Sequence, residues 1–428
     1  MSWYLSRLKT SSIGISLILS SSILAGNLTA PIDMESAAVL PKGIRNVRVK
    51  GVGTKIGDKF DNDGNSVPIG NDMNSVITVE RIYEGETDDV KASKTMTIAT
   101  LEGIGHSDSL GNSTGMVNVG ASVTVPVFAY GMSKKWTAAI AVPVTRVDQK
   151  VATGVEAGDA LKKLQDAVRA QGTVEDYETF MRKTSNPIAE KAAEYGYNPI
   201  TNRTETKLGD IKLVNKHQLL KRSALTMTLR NDIVLPTGKE KNIDEVVDIP
   251  AGDGQWDIGL GVIAEYKLSD FTFSGAVNYI WQTPYRLGVG GEFKDRSLMR
   301  VPRNSYSSLS PDKDMVQRDL GDQFMTQVGG KFEFFTGFHI LSAYTFQYKE
   351  RDKYEGSLYS DARYYYMGKN SRQKMHAVTM GAGFSTIPLF KQKKFKVPLQ
   401  ANLTYALPVN GKSVSDAGVA QGELVLFF

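Results

Sequence analysis

The chain alternates from Val117 onward. Val117, Val119, Ala121, Val123, Val125, Val127 and Ala129 share one side, while Asn118, Gly120, Ser122, Thr124 and Pro126 share the other. Strict period two gives a β-strand with one apolar face and one small or polar face. Tyr130–Lys134 reads as a tight turn in which Gly131 can take a positive φ. The chain resumes with Trp136, Ala138, Ile140, Val142 and Val144 on one face. Both arms exceed the roughly five to six residues of a globular strand and approach the roughly 9–11 that cross a bilayer at a tilt.

The pattern recurs along the chain. Alternating segments fall at Leu208–Leu219, Ser223–Leu235, Trp256–Tyr266, Phe271–Trp281, Phe324–Phe334, Phe338–Tyr348, His376–Phe384, Val397–Leu407 and Val419–Phe428. Ile44–Val52, Val76–Tyr83 and Met96–Glu102 precede the Val117 hairpin as weaker segments. Long connections at 54–74, 105–113, 149–207, 236–255, 286–321, 351–372 and 409–416 alternate with short ones. Short turns on one side and long loops on the other are the signature of transmembrane barrels. The expectation is therefore an all-β fold, a transmembrane antiparallel up-and-down β-barrel of about fourteen strands over residues 43–428. An even count places both chain ends on the short-turn side. The connection around Pro388–Lys396 is the poorest fit to that scheme.

One connection has a different composition. In 151–207, Leu161, Leu164 and Val168 recur at helical spacing, with Asp159 as a cap and Gly172 as an exit. A second helix begins near Thr173, and a third begins with Asn186-Pro187 and ends at Gly196. This helical insertion could cap the barrel, enter its lumen or sit outside.

The N-terminus reads as a secretory signal over residues 1–26. Arg7 and Lys9 precede a short apolar stretch, and Ala25-Gly26 or Ala30 offers a cleavage site. Asn27 stands where a lipoprotein would need Cys, so export without a lipid anchor is expected. Residues 27–42 then form a periplasmic N-terminal segment. The expected location is the cell outer membrane.

Composition narrows the chemistry. The chain is 41% hydrophobic with 40 Gly, and no apolar run after the N-terminus is long enough for a helical span. With no Cys, thiol catalysis and Cys-ligated metal are excluded. A diffuse net charge of +5 without a basic, aromatic-laced patch argues against a nucleic-acid partner. His106, His217, His339 and His376 are scattered, so no metal site or cofactor is expected. Neither His339 nor His376 has a catalytic motif around it, so an enzyme is not expected. Asp61-Asn62-Asp63-Gly64 suggests a calcium loop, but the frame puts Lys59 first and Gly70 twelfth, so a hairpin tip explains it better.

Aromatic positions fit outer-membrane lipid as a partner. Trp256 and Tyr266 end one strand, Trp281 and Phe271 end the next, and Trp136 opens another. Ten steps of about 3.3 Å at a tilt of about 45° span roughly 23 Å, near the ~25 Å apolar band of such barrels. The terminal Phe428, with Leu426 and Leu424 on its face, resembles the signal read by the barrel-assembly machinery. Opposite the lipid face, Lys212, Lys216, Arg230, Asp232, Asp257, Glu265, Lys331, Glu333 and Glu423 should line the lumen. Lys212, Arg230, Asp232 and Asp257 form the best candidate network, with Lys331 and Glu333 on a later strand. Such charges either tune solute selectivity or brace the interior by pairing.

Several short motifs carry a family resemblance: Val125-Pro126-Val127 leading into Tyr130-Gly131, Ala141-Val142-Pro143, Gly209-Asp210, Leu235-Pro236-Thr237-Gly238, and above all Asp253-Gly254-Gln255-Trp256-Asp257-Ile258-Gly259-Leu260-Gly261. Tyr405-Ala406-Leu407-Pro408-Val409-Asn410-Gly411 fits more loosely. Residues 123–285 resemble the outer-membrane transporters of the meta-pathway of phenol degradation, relatives of the long-chain fatty-acid transporter barrels. The motifs cover well under half the chain and describe turns and strands, and the insertion and the 286–321 loop depart from the pattern. The resemblance implies passive uptake of a small hydrophobic or aromatic solute, with a gate in the N-terminal segment or the helical insertion. The alternative is a surface receptor or adhesin acting through loop 286–321 and the tyrosine-rich 354–366.

Overall fold

The structure is a computed structural model that describes residues 28, 30, 31, 33–78, 109–171, 174–287, 293–304 and 309–428. The expected signal segment, and most of the two candidate strands between 76 and 102, lie outside these residues.

Twelve strands form the barrel. They are β1 (Arg45–Ile56), β2 (Ser109–Gly131), β3 (Trp136–Ala141, continuing as Val144–Ala157), β4 (Arg203–Leu208, continuing as Ile211–Lys221), β5 (Leu225–Leu235), β6 (Gln255–Leu268), β7 (Phe271–Leu287), β8 (Gln323–Phe335), β9 (Phe338–Lys349), β10 (Gln373–Ser385), β11 (Leu399–Lys412) and β12 (Val419–Phe427). Each pairs antiparallel with its sequence neighbour. The ring closes where β1 pairs with both β12 and β2, from Arg45 opposite Tyr130 to Ile56 opposite Val119.

That seam corrects the count of fourteen, because β1 and β2 meet directly and leave no room for another strand between them. Ser75–Thr78 instead pairs with the upper part of β2. Closure removes free sheet edges, which is what lets strands stand in hydrocarbon. Both ends of the ring lie at one rim, where Arg45 N donates to Phe428 O at 2.8 Å.

The outer face carries an apolar belt. Ile258, Leu260 and Val262 on β6 and Val277, Tyr279 and Trp281 on β7 all face outward and are exposed. Tyr266 and Phe271 lie outward at the short-turn end, Trp281 at the long-loop end, and Trp136 beside the first turn. Trp256 is half-buried. Phenylalanines link β7 to β10 around the short-turn rim, with Phe271 and Phe332 stacked at 4.5 Å and Phe338 and Phe384 at 4.4 Å.

β2 breaks the simple rule. Its valine face, Val117 to Ala129, points into the barrel, and its small and polar face points out. Val127 sits opposite inward Ala141, whereas Phe128 sits opposite outward Ile140. Inside, the valines join one apolar cluster with Leu28, Leu40, Val52, Ile249, Val419 and Val425. They face inward because chain fills the interior there.

The long loops form ordered structure beyond the barrel. β3 runs on to Ala157, so the helical part of the insertion is shorter than expected: α1 (Asp159–Gln171), α2 (Val174–Ser185) and α3 (Pro187–Glu194), before β4 begins at Arg203. Leu161, Leu164 and Phe180 pack with Leu110 and Ile77 on the ribbon of β2 that rises past β1. Asn186 caps α3 by accepting from Ala189 N at 3.2 Å. Strands 296–300, 313–319 and 353–355 form a small sheet with α4 (Asp361–Met367) around Val301, Val316 and Tyr364. Arg300 ties this sheet to the insertion. It donates to Tyr195 O, Gly196 O, Ile243 O and Asp244 and covers the Tyr197 ring at 3.7 Å. On the short-turn side, the connection that fitted worst contains a short helix, α5 (Ile387–Lys391). Asp61 turns its hairpin tip by accepting from the amides of Asp63 and Asn65, at 2.8 and 2.9 Å.

The belt predicts a depth-dependent cost. Leu260→Arg, at mid-strand, should destabilise the barrel by about 2–4 kcal/mol, and Tyr266→Arg at the rim by about 0–1 kcal/mol. Reversible urea unfolding in lipid vesicles measures both, and equal costs would contradict the placement of the belt.

Candidate functional site

The lumen is threaded by the chain's own N-terminal segment. The described residues between Leu28 and Leu40, expected as a periplasmic lead-in, run inside the barrel from the long-loop end toward the short-turn rim. Gly43, at φ +80°, turns the chain between this segment and β1. Gly43 N donates to Gly131 O at 2.8 Å, and Gly131 N donates to Ile44 O at 2.9 Å. A Cβ on Gly131 would collide with the Pro41 carbonyl, so a residue without a side chain permits the passage.

An extended chain with no paired strand must satisfy its backbone on side chains. The wall supplies them. Leu40 N donates to Thr137 Oγ1 at 2.7 Å, and Thr228 Oγ1 donates to Ala37 O at 2.5 Å. Lys216 Nζ donates to Ser36 O at 2.8 Å, and Ser274 Oγ to Glu35 O at 2.6 Å. Gln327 serves both senses, accepting from Glu35 N at 2.6 Å and donating to Asp33 O at 2.9 Å. Higher up, Thr379 Oγ1 donates to Pro31 O and Gln373 Oε1 accepts from Leu28 N, both at 2.6 Å. Inward Gly329 leaves room for Met34, whose Sδ would lie 2.8 Å from a Cβ there.

Two carboxylates anchor the segment. Glu35 pairs with Arg230, and Asp33 pairs with Lys50 and accepts from Gln421 Nε2 at 2.6 Å. These pairs join the wall charges. Arg230 also holds Asp232 at 2.8 Å, Lys212 lies 3.2 Å from Asp232, and Glu423 lies 2.9 Å from Arg48 and 3.6 Å from Lys50. All are buried. Breaking one side of such a pair costs about 3–5 kcal/mol, so the segment is held firmly.

The structure thus places Lys212, Arg230 and Asp232 in one network. Asp257 stands level with Lys212 across β5 and receives Gln282 Nε2 at 3.4 Å. Lys331 is buried on β8, while Glu333 is only half-buried near the short-turn rim. Sequence reasoning missed Arg48, Lys50, Asp33 and Glu35. The alternation of Asn46, Arg48 and Lys50 with Val47 and Val49 in β1 is a signal for the first two. The helices of the insertion pack on the β2–β3 ribbon, where Leu161, Leu164 and Phe180 meet Leu110 and Ile77.

A second element lies at the long-loop end. Loop 239–252 folds onto the inner face of β3 and β4, where Lys207 holds Asp248 at 2.8 Å and donates to Ile249 O at 2.9 Å. Gln149 Nε2 donates to Val247 O at 2.9 Å. Asp210, in the Gly209–Asp210 step between the two halves of β4, accepts from Gly238 N at 2.7 Å. Burial, reinforced by the nearby Asp253 carboxylate, pushes the Asp210 carboxyl up to about 7. Below the mouth, a small cavity is lined by Leu28, Asn278, Ile280, Gln323, Phe324, Met325 and Gln347.

A barrel with an outward apolar belt and a charged, chain-filled interior is an outer-membrane-type transmembrane β-barrel. No protein-family profile matches the chain, and no curated protein matches it by sequence. Distant likenesses to solved structures exist. An outer membrane channel from Pseudomonas putida F1 aligns over 92% of this chain and 99% of its own, at 11% identity and a TM-score of 0.49. The toluene transporter of P. putida aligns over 91% and 90%, at 9% identity and 0.31. The NanC porin aligns over 72% and 93%, at 7% identity and 0.32.

Asp210 generates a pH prediction. Its folded-state value is raised from 3.8 to about 7, so its contribution to stability is full below about pH 4 and is lost as pH rises through about 7. Asp210→Asn keeps the acceptor for Gly238 N and removes that loss. The melting temperature should rise relative to the unsubstituted chain at about pH 8 and match it near about pH 4. An equal difference at both values would contradict the raised carboxyl.

Proposed function

We propose that this barrel is an outer-membrane channel for passive uptake of small hydrophobic or aromatic solutes, gated by residues 28–40. The observation that carries this reading is the threaded segment. It occupies the axial path, is tied to the wall mainly by side chains, and is linked to the barrel through Gly43. A chain held by side chains can leave without breaking the barrel's own ladder of hydrogen bonds. The inner wall supports the solute class. The inward valines of β2, with Val52, Val419 and Val425, make an apolar strip along one side, which suits an apolar body moving past it. The helices of the insertion pack on the β2–β3 ribbon, whereas the N-terminal segment is bonded to the inner wall, which favours that segment as the gate.

The absence of Cys makes the test clean. Ala37 packs with Ala276 and Ile263 on the wall. Ala37→Cys with Ala276→Cys, joined by a short cleavable thiol cross-linker, should abolish uptake of an aromatic solute into proteoliposomes. Cleavage should restore it. Undiminished uptake in the cross-linked protein would show that the solute path does not require the segment to move.

A further inference from the structure

The outside of the short-turn rim carries charge that the chain itself does not answer. The turn from β10 to β11, which contains α5, brings Lys391, Lys393, Lys394 and Lys396. Beyond β11 and β12 the approach to β1 brings Lys42 and Arg45, and the turn from β2 to β3 brings Lys134 and Lys135. Lys391 is half-buried and the other seven are exposed. The stretches 386–398, 41–45 and 131–136 contain no acidic side chain. Among the described residues, none of the eight cations has a carboxylate partner. The long-loop end differs. There Arg203 holds Glu245 at 2.7 Å, Arg300 and Lys313 each hold Asp244 at 2.7 Å, and Arg363 holds Asp312 at 2.6 Å.

The basic positions adjoin the edge of the apolar belt. Arg45 stands two residues before outward Val47, and Lys135 precedes exposed Trp136. Lys394, Phe395, Lys396 and Val397 alternate, and both Phe395 and Val397 are exposed. Two residues on, Leu399 lies opposite Leu426 and opens the outward row of β11. The turn itself is fixed. Ile387 is buried in the apolar cluster, and Thr386 Oγ1 donates to Val397 O at 2.6 Å and accepts from Leu399 N at 2.7 Å. Lysine stems can lie along apolar surface while their ammonium groups reach the polar layer.

We propose that this arc, from the β10–β11 turn to the β2–β3 turn, binds anionic phospholipid, with the phosphate on the lysines and the acyl chains along Phe395, Val397 and Leu426. A soluble anion would use the cations and leave the apolar groups beside them bare. A neutral lipid would use the apolar groups and leave the cations unanswered. Short turns of such barrels face the periplasm, so the ligand comes from the phospholipid of that leaflet. Each cation close to an anionic bilayer surface is worth about fivefold in partition and acts within about 10 Å. This inference does not depend on the gate.

The test uses the full chain in detergent micelles with equal amounts of phosphatidylglycerol and phosphatidylcholine of identical acyl chains. Native mass spectrometry reads which lipid is retained. Phosphatidylglycerol should be favoured, and Gln at positions 391, 393, 394 and 396 together should lower that preference by at least about fivefold, the share of one cation. Heat-modifiable migration on a denaturing gel confirms the barrel; where the fourfold variant does not fold, Lys393→Gln with Lys394→Gln is measured. Lys162→Gln with Lys163→Gln, on α1 at the long-loop end, should leave the preference unchanged. Glycerol phosphate, a headgroup ester without acyl chains, should not displace the lipid. Equal retention of the two lipids, an equal loss in the α1 variant, or displacement by glycerol phosphate overturns the assignment.

Discussion

A backbone crossing a barrel without a partner strand has to satisfy its amides and carbonyls on side chains. That constraint organises the interior. Thr137, Thr228, Ser274, Gln327, Thr379 and Gln373 come from five different strands and between them meet successive steps of the N-terminal segment. The ion pairs of Asp33 and Glu35 fix the register of that ladder. Sheet closure supplies the walls, but this side-chain ladder determines where the segment lies.

The interior is consequently two-sided. On β1, β2 and β12 it resembles the core of a soluble protein, with valines packed against other chain. On β4 to β9 it is polar, with lysines, an arginine and glutamines pairing or holding backbone. The mouth continues this pattern, because loop 239–252 brings Ile249 to the apolar side and Asp248 to Lys207. An apolar strip can stand inside a membrane barrel only where something other than water covers it.

Period two was enough to read the architecture. From β4 onward each alternating segment became a barrel strand, and Lys212, Arg230, Asp232 and Asp257 on β4 to β6 are buried. What alternation cannot supply is direction. The β2 valines form one apolar face, and nothing local reveals whether such a face turns to lipid or to the interior. The N-terminal segment was misplaced for a related reason. It has no periodicity, and its two carboxylates gain meaning only from Arg230 and Lys50. The helices of the insertion were legible from Leu161 and Leu164, but their seat on Leu110 was not, because that contact depends on how far β2 rises past β1.

The covalent link at Gly43 gives the threaded segment the standing of a tethered competitor. Its local concentration is set by chain geometry, so dilution or detergent exchange cannot wash it away. Any guest seated on the same wall groups has its apparent affinity lowered by the fraction of time those groups are vacated. That factor is the same for every guest. Preferences among guests measured on the intact chain therefore reflect the wall alone, while the absolute affinities understate what the wall can bind.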